Sequence, residues 1–264
     1  MNYSFSKIES GRLNDYQDLF LRAFPDAKHL NVEYLKWLYL DNPNGNVQGF
    51  DAFLDGLLVG HYACIPVLCE IKGTKQKGLL SLNTATHPLH QGKGLFTRLA
   101  QMTYDHATAD GFQFVYGIAN QNSTYGFVKK LGFKHICPLD AYILLGDLKM
   151  QDKSVPNFKR LWTEEDISWR LSNPCQNYLI SDNLISVKTD KFNINCLATL
   201  SSDERFLSYP ALFIGLKSLE ATLKIKIPDS LKPSPLNLIY RNLSANYDLE
   251  ANDFEIQFLD FDAY

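Results

Sequence analysis

The fold of this chain is decided by residues 84–96, TATHPLHQGKGLF, where a predicted strand passes through a glycine-rich turn into a predicted helix. The strand ends before Pro88, because proline cannot donate a hydrogen bond to a neighbouring strand. Gly92 and Gly94 allow the backbone to turn with its N–H groups exposed in one concavity. The helix that follows adds its own unpaired N–H groups and the positive end of its dipole. The pattern predicts a cradle for a diphosphate.

Two common diphosphate-binding motifs do not fit this segment. A Walker loop needs glycine at position 87, which is His87, and Ser or Thr after Lys93, where Gly94 stands. The dinucleotide-binding fingerprint needs a third glycine at position 97, which is Thr97, and a βαβ unit that is missing here. A different diphosphate ligand is therefore expected.

A third possibility agrees with the residues. The loop resembles the acyl-CoA loop of the GNAT (Gcn5-related N-acetyltransferase) superfamily, whose pattern is Gln/Arg-x-x-Gly-x-Gly/Ala. Gln91 and Gly94 match, whereas Phe96 stands where Gly or Ala is usual. Residues 112–133, FQFVYGIANQNSTYGFVKKLGF, resemble the strand and helix that follow in the family and end in Lys-x-Gly-Phe. The resemblance covers about residues 1–146.

The resemblance implies that acetyl-CoA is the cosubstrate. In the family, two central strands splay apart, and the pantetheine arm of CoA lies between them, bonded to backbone. Ala85 and Thr86 would supply that backbone here, and Asn122 would bond the pantetheine or its neighbours. The implied cofactor-binding loop consists of Gln91, Gly92, Lys93, Gly94, Leu95 and Phe96.

The resemblance also implies direct transfer of the acyl group to an amine, but the usual catalytic side chains differ. The family often places a Tyr four residues before the glycine that ends the second helix, and that residue is Val128 here. Tyr125, one turn earlier, is the candidate acid, and Asn83 is the candidate for holding a water or the acceptor. His61 is a further candidate base. Each of these side chains would also suit a purely structural role.

Composition narrows the function classes. The 264 residues include 26 Lys and Arg against 29 Asp and Glu, so a dominant nucleic-acid surface is not expected. No run of about 18 apolar residues exists, and the first residues lack the apolar region of a secretory signal. The five cysteines show no metal-ligand spacing. We expect a cytoplasmic protein without a metal site, a membrane partner or a nucleic-acid partner.

Two short segments suggest an internal duplication. Residues 34–43 read YLKWLYLDNP and residues 167–174 read ISWRLSNP, and their tryptophans, Trp37 and Trp169, are 132 positions apart. A chance match of this length is the alternative. The predicted organisation is a GNAT acetyl-CoA-binding domain at 1–146, a linker at 147–157 and a degenerate GNAT-like domain at 158–264 that shapes the acceptor site.

The predicted fold class is α/β, with a central mixed, mainly antiparallel sheet flanked by helices and a second GNAT-like half. A helix is expected around 210–224. The closing segment, FEIQFLDFDAY, is predicted as a strand whose Asp260 and Asp262 could face an acidic, aromatic cleft between the halves.

The predicted activity is N-acetylation of a primary amine on a small molecule, for which an amino sugar or a nucleotide-linked amino sugar is a candidate. A non-catalytic acyl-CoA-binding or sensing protein is the alternative from another class, and a protein N-acetyltransferase is a further one. The acceptor, the acyl length and the oligomeric state stay open.

Overall fold

The computed structural model describes residues 2–150, 155–189, 194–201, 203–232 and 234–261. The first elements along the chain are β1 (Ser4–Lys7), α1 (Leu13–Ala23), α2 (Val32–Tyr39), β2 (Gln48–Leu54), β3 (Leu57–Ile71), β4 (Thr74–Thr86), α3 (Leu95–Ala109), β5 (Phe114–Ala119), α4 (Gln121–Lys130) and β6 (Lys134–Pro138). The later elements are β7 (Asp140–Met150), β8 (Phe158–Arg160), α5 (Glu164–Leu171), β9 (Tyr178–Ser181), β10 (Leu184–Lys188), β11 (Asn195–Thr199), β12 (Arg205–Gly215), β13 (Leu219–Lys226), β14 (Asn237–Asn242) and β15 (Phe254–Glu255).

The first sheet has nine strands and confirms the predicted mixed, mainly antiparallel arrangement. Its order is β1-β2-β3-β4-β5-β14-β6, with β8 paired to the far end of β3 and β15 paired to β8. Among the described strands of this sheet, only the β4–β5 and β15–β8 pairs are parallel. Helices α3 and α4 pack on one face of the sheet, and the residues of α1 and α2 belong to the larger core cluster on the other side.

The parallel pair β4–β5 separates before either strand ends. Pairing stops at Ser81 and Gly117, although β4 continues to Thr86 and β5 to Ala119. Asn83 is an extra residue in β4. Tyr62 of β3 pairs with Thr84, and the next residue of β3 pairs with Leu82, so that Asn83 is left without a partner in the β3–β4 register. Asn83 has a φ of 41°, which is unusual for a side chain other than glycine. The bulge and the separated strands leave a gap in the middle of the sheet.

The second sheet has the order β13-β7-β12-β11-β10-β9. The helix predicted around 210–224 is wrong, because β12 and β13 both pair antiparallel with β7. Pro210, which has no N–H to give to a ladder, lies at a register shift between Leu207 and Ala211. The apolar side chains in β12 therefore alternate across a strand rather than follow one helix face.

The two sheets divide the chain differently from the predicted domain boundaries, which stay a prediction. β14 comes from the C-terminal part of the chain but lies between β5 and β6 in the first sheet. Residues 147–150, predicted as linker, instead continue β7, where they pair with β12 and β13. Residues 151–154 of that linker lie outside the described residues. No helix among the described residues combines the length and apolar character needed to cross a bilayer.

Candidate active site

A cavity of about 620 Å³ occupies the gap between β4 and β5. One wall is the bulged part of β4, and the opposite wall is the end of β5 and the start of α4. The floor includes Ile239 of β14, and Phe24 and Leu236 also contribute. The glycine-rich segment before α3 completes the lining. The cavity thus lies where the predicted strand, loop and helix meet.

The loop before α3 has the conformation that its glycines predicted. Gly92 and Gly94 have φ values of 74° and 77°, in the left-handed region that favours glycine. A Cβ atom added at either position would meet nothing within 4 Å, so the concavity is open. Among the described residues, the N–H groups of Gly94, Leu95 and Phe96 have no hydrogen-bond partner. These donors lie at the positive end of a 15-residue helix, where unpaired N–H groups and the helix dipole favour negative charge.

Most of the predicted cofactor-binding residues come together on this cavity. The lining includes Asn83, Thr86, Gln91, Gly92, Gly94, Leu95, Phe96 and Asn122. Ala85 is buried opposite His61 in the β3–β4 ladder and is not among the lining residues. Lys93 lies in the loop, where its Nζ donates to the Leu89 carbonyl oxygen at 3.0 Å.

A family model described as an acetyltransferase (GNAT) domain matches residues 4–136, half of the chain. This chain belongs to the GNAT acetyltransferase family. The family's fold is also found among solved structures of similar shape. A conserved protein from Enterococcus faecalis V583 superposes with a TM-score of 0.60 and 12% identity, covering 92% of this chain and 73% of that chain. No curated protein sequence matches.

Two further structures cover large parts of the chain. A GCN5-related N-acetyltransferase from Kribbella flavida has a TM-score of 0.59 and 10% identity, covering 92% of this chain and 71% of that one. Eis1 from Mycobacterium abscessus has a TM-score of 0.52 and 11% identity, covering 76% of this chain and 59% of that one. At these identities the similarity describes the fold.

Phe96 departs from the GNAT loop pattern, and α4 accommodates its ring. The ring packs edge-to-face against Phe127, with centroids 5.2 Å apart. A Cβ atom added to Gly126 would lie 3.0 Å from the Phe96 ring, so a glycine at this point of α4 makes room for it. Gly126 and Phe127 both line the cavity, and neither was predicted as a site residue.

The structure does not bring Tyr125 to the cavity of this GNAT domain. The face of α4 that lines the cavity carries Asn122, Gly126 and Lys130, spaced four residues apart. Tyr125 lies off that face and is 66% exposed. None of the described lining residues is an Asp, Glu, Tyr or Cys, so the cavity wall offers no carboxylate and no phenol.

His90 is a titratable side chain that does line the cavity. Its Nδ1 and the Tyr3 hydroxyl form a hydrogen bond of 2.9 Å. Burial lowers the pKa of His90, and the neighbouring Lys93 and His87 charges lower it further. The imidazole is therefore neutral at pH 7, and the pocket-facing charge comes from Lys130 on α4.

His61 lies behind the bulged strand rather than in the cavity. It is fully buried, and its Nδ1 lies 2.7 Å from the Asp51 carboxylate. Its Nε2 lies 2.9 Å from the Tyr39 hydroxyl. Asp51 also accepts a 2.8 Å hydrogen bond from the Tyr16 hydroxyl. His61, a candidate base from the sequence, is therefore not among the residues that line the cavity.

A second buried network approaches the bulge from the α3 side. The Tyr62 hydroxyl lies 2.7 Å from Ser81 Oγ and is also hydrogen-bonded to the Tyr104 hydroxyl. Ser81 lines the cavity. Burial raises the pKa of both tyrosines well above its usual range, so they stay protonated. Sequence inspection had no signal for these contacts, because the tyrosines belong to different elements.

The expected acidic cleft at the C-terminal end is absent from the described residues. Asp260 is buried, accepts hydrogen bonds from Trp162 Nε1 and the Gln257 backbone N–H, and does not line the cavity. Burial raises the pKa of its carboxyl group. The segment forms only the two-residue strand β15 and a short 3₁₀ turn. Asp262 lies outside the described residues.

Proposed function

We propose that this protein transfers an acetyl group from acetyl-CoA to a primary amine of a small molecule. The observation that carries the proposal is the row of unpartnered N–H groups at the start of α3, beside the gap between β4 and β5. Membership of the acetyltransferase family supports the reaction class and the cosubstrate.

The residues present fit acetyl-CoA. The N–H groups of Gly94, Leu95 and Phe96 would receive the pyrophosphate, where the helix dipole also favours negative charge. The unpaired backbone of β4 beyond Ser81 would bond the pantetheine arm, as an added strand would. Thr86 and Asn122 flank that path on the two walls of the cavity.

Bound acetyl-CoA supplies a thioester whose carbonyl carbon accepts the amine nitrogen. The C–N bond forms as the C–S bond breaks, the nitrogen releases one proton, and the sulfur takes one. Asn83 would contact the acceptor amine in this proposal, which its place at the bulge, in the cavity lining where β4 and β5 part, supports. The β4 side of the cavity can therefore assist the reaction by orienting the amine.

The acceptor amine enters neutral in this proposal. A protonated amine has no lone pair for attack, and the described lining holds no carboxylate that could remove the proton. An amine with a pKa below that of a lysine side chain suits such a cavity. An amino sugar, free or linked to a nucleotide, meets this condition.

We also propose a cytoplasmic location, with which the five free cysteines agree.

A non-catalytic acyl-CoA-binding role is the second candidate. The observation that favours it is the lack of Asp, Glu, Tyr and Cys side chains among the described lining residues. Both candidates require acetyl-CoA binding, and only the first requires turnover. Acetylation of a protein amine is a third reading, which differs from the first in its acceptor.

Calorimetry with acetyl-CoA, followed by an amine panel, tests these candidates. We expect binding, and release of free CoA thiol with at least one small amine. Binding without turnover on sugars, polyamines, alkylamines or peptides would favour the sensor, and turnover on peptides alone would favour a protein acceptor. Absence of acetyl-CoA binding would overturn all three.

A further inference from the structure

Asn83 is the polar side chain at the centre of the β4 bulge. It lines the cavity, and it lies among residues whose backbone no longer pairs with β5. Its amide nitrogen is buried and has no hydrogen-bond partner among the described residues, although it lies near enough to the Tyr39 hydroxyl to influence the pKa of that hydroxyl. An amide whose nitrogen is turned into the protein has its oxygen available on the other side.

Tyr39 is the last residue of a buried chain of hydrogen bonds. Its hydroxyl lies 2.9 Å from His61 Nε2, and His61 Nδ1 lies 2.7 Å from Asp51 Oδ1. Tyr39, His61 and Asp51 come from α2, β3 and β2, and all three are fully buried. Three separate elements therefore fix this chain behind the cavity wall.

The donor and acceptor directions in the chain follow from Asn83. Its amide nitrogen only donates, so the Tyr39 hydroxyl beside it can serve it only as an acceptor. The Tyr39 hydroxyl proton is then left for His61 Nε2, and His61 Nδ1 is the donor to the Asp51 carboxylate, which also accepts from the Tyr16 hydroxyl.

The surroundings hold this arrangement in place. The His61 ring packs against Tyr16 and Phe20, with ring centroids 4.4 and 5.5 Å away. Burial raises the pKa of Tyr39 well above its usual range, and the facing Asn83 amide partly offsets that rise. Tyr39 therefore stays protonated and keeps a single donor direction.

We propose that Asp51, His61 and Tyr39 are positioning residues that orient the Asn83 amide, whose oxygen accepts a hydrogen bond from the incoming amine. This inference rests on the proposed amine acetylation. The Asn83 oxygen holds one N–H of the neutral amine, and the nitrogen lone pair is thereby directed at the thioester carbon. No proton passes along the chain, because an amide does not act as a base.

A double-mutant cycle in the full-length protein tests the coupling. We expect Asn83→Ala to lower kcat about three- to tenfold, as the loss of one hydrogen bond does, with the Kd for acetyl-CoA unchanged. Tyr39→Phe should lower kcat by a similar factor. The double variant should be no slower than Asn83→Ala alone, because Tyr39 acts through Asn83. Losses that multiply would overturn the proposal.

Tyr240→Phe is the matched control. Tyr240 is also buried in the first sheet, but its hydroxyl donates to Asn242 at 2.9 Å and it does not line the cavity. We expect its kcat to equal that of the unaltered protein. An equal loss of kcat in Tyr240→Phe would show a general effect of removing a buried hydroxyl, and would overturn the specific role of Tyr39.

A measurement without turnover separates this inference from the proposed function. The side-chain amide signals of Asn83 in a ¹⁵N spectrum are identified by their loss in Asn83→Ala. We expect their hydrogen exchange to be at least about tenfold faster in Tyr39→Phe, since a donor loses its acceptor. Unchanged exchange would overturn the positioning role. Binding of acetyl-CoA with no turnover would overturn the proposed function, while the exchange still decides the positioning of Asn83.

Discussion

Trp37 of α2 and Trp169 of α5 exchange hydrogen bonds. The Trp37 indole nitrogen donates to the Trp169 carbonyl oxygen at 2.7 Å, and the Trp169 indole nitrogen donates to the Trp37 carbonyl oxygen at 3.0 Å. Their rings are stacked, with centroids 4.8 Å apart and an interplanar angle of 14°. Each tryptophan therefore donates to the carbonyl oxygen of the other and stacks on its ring. Equivalent residues in two copies of one motif would make such reciprocal contacts.

The turns that follow the two helices are also equivalent. Asn42 and Asn173 are both buried, and each accepts a hydrogen bond through Oδ1 from the backbone N–H two residues later. The carbonyl oxygens of both residues accept from the N–H three residues later. These matched contacts support the predicted duplication, which the short sequence match alone suggested.

The tryptophan pair is expected to contribute measurably to stability. Trp169→Phe removes one indole N–H and leaves the buried Trp37 carbonyl oxygen without that donor, so we expect the free energy of unfolding to fall by about 1–3 kcal/mol. Trp37→Phe should cost less, because the backbone N–H and the hydroxyl of Ser172 still donate to the Trp169 carbonyl oxygen. Urea unfolding measures both, with Tyr209→Phe, at an 82% exposed position, as the control. A change below about 0.5 kcal/mol, the range of ordinary surface substitutions, would contradict the expectation.

The loop before α3 gives a direct test of cofactor binding. Gly94→Glu places a carboxylate where the pyrophosphate is proposed to lie, and we expect acetyl-CoA binding to weaken roughly 100-fold or more, because like charges meet there. Gly73→Glu is the matched control. Gly73 has a φ of 76°, close to the 77° of Gly94, and also has no atom within 4 Å of an added Cβ. Both variants carry the same backbone strain and charge.

Calorimetry of the two variants distinguishes an effect of backbone strain on folding from the loss of the binding loop itself. We expect Gly73→Glu, in the hairpin between β3 and β4, to bind acetyl-CoA as the unaltered protein does. Equal weakening in both variants would mean that the loss reflects folding, and normal binding by Gly94→Glu would contradict the proposed loop.

The sequence predicted the elements around the cavity better than the residues behind it. The loop with Gly92 and Gly94 and the helix α3 depend on local chemistry, since glycine is the residue that favours a positive φ. The placement of β14 between β5 and β6 is a long-range pairing, which local patterns do not specify. The same holds for the contact between His61 and Asp51.

Tyr125 illustrates the limit of motif matching. Its position one turn before the family's usual tyrosine suggested a catalytic acid, but a helix face is set by steps of 100°, and the side chain lies off the lining face. We expect Tyr125→Phe to keep kcat within about twofold, as for other exposed substitutions that touch no special feature. Steady-state kinetics with any accepted amine measures this. A hundredfold loss would instead establish Tyr125 as the acid.

Cysteine reactivity follows burial. Burial raises the pKa of the Cys64 thiol to about 12, and it raises the pKa values of the Cys69 and Cys196 thiols further. We expect these three to resist iodoacetamide in the folded protein, since the thiolate is the nucleophile. Cys137 and Cys175 are partly exposed and are the candidates for slow reaction. Mass spectrometry should find at most two labels before unfolding and five after it; a third label in the folded state would contradict this burial.

The dependence of turnover on pH distinguishes a neutral acceptor from a protein base. If the amine must arrive neutral, kcat/KM rises about tenfold per pH unit below the amine's own pKa, because its neutral fraction does so. Two accepted amines of different pKa should then give rising limbs displaced by that difference. His90 does not interfere above pH 7, since its lowered pKa leaves it neutral there. Limbs at the same pH for both amines would show that a group of the protein removes the proton.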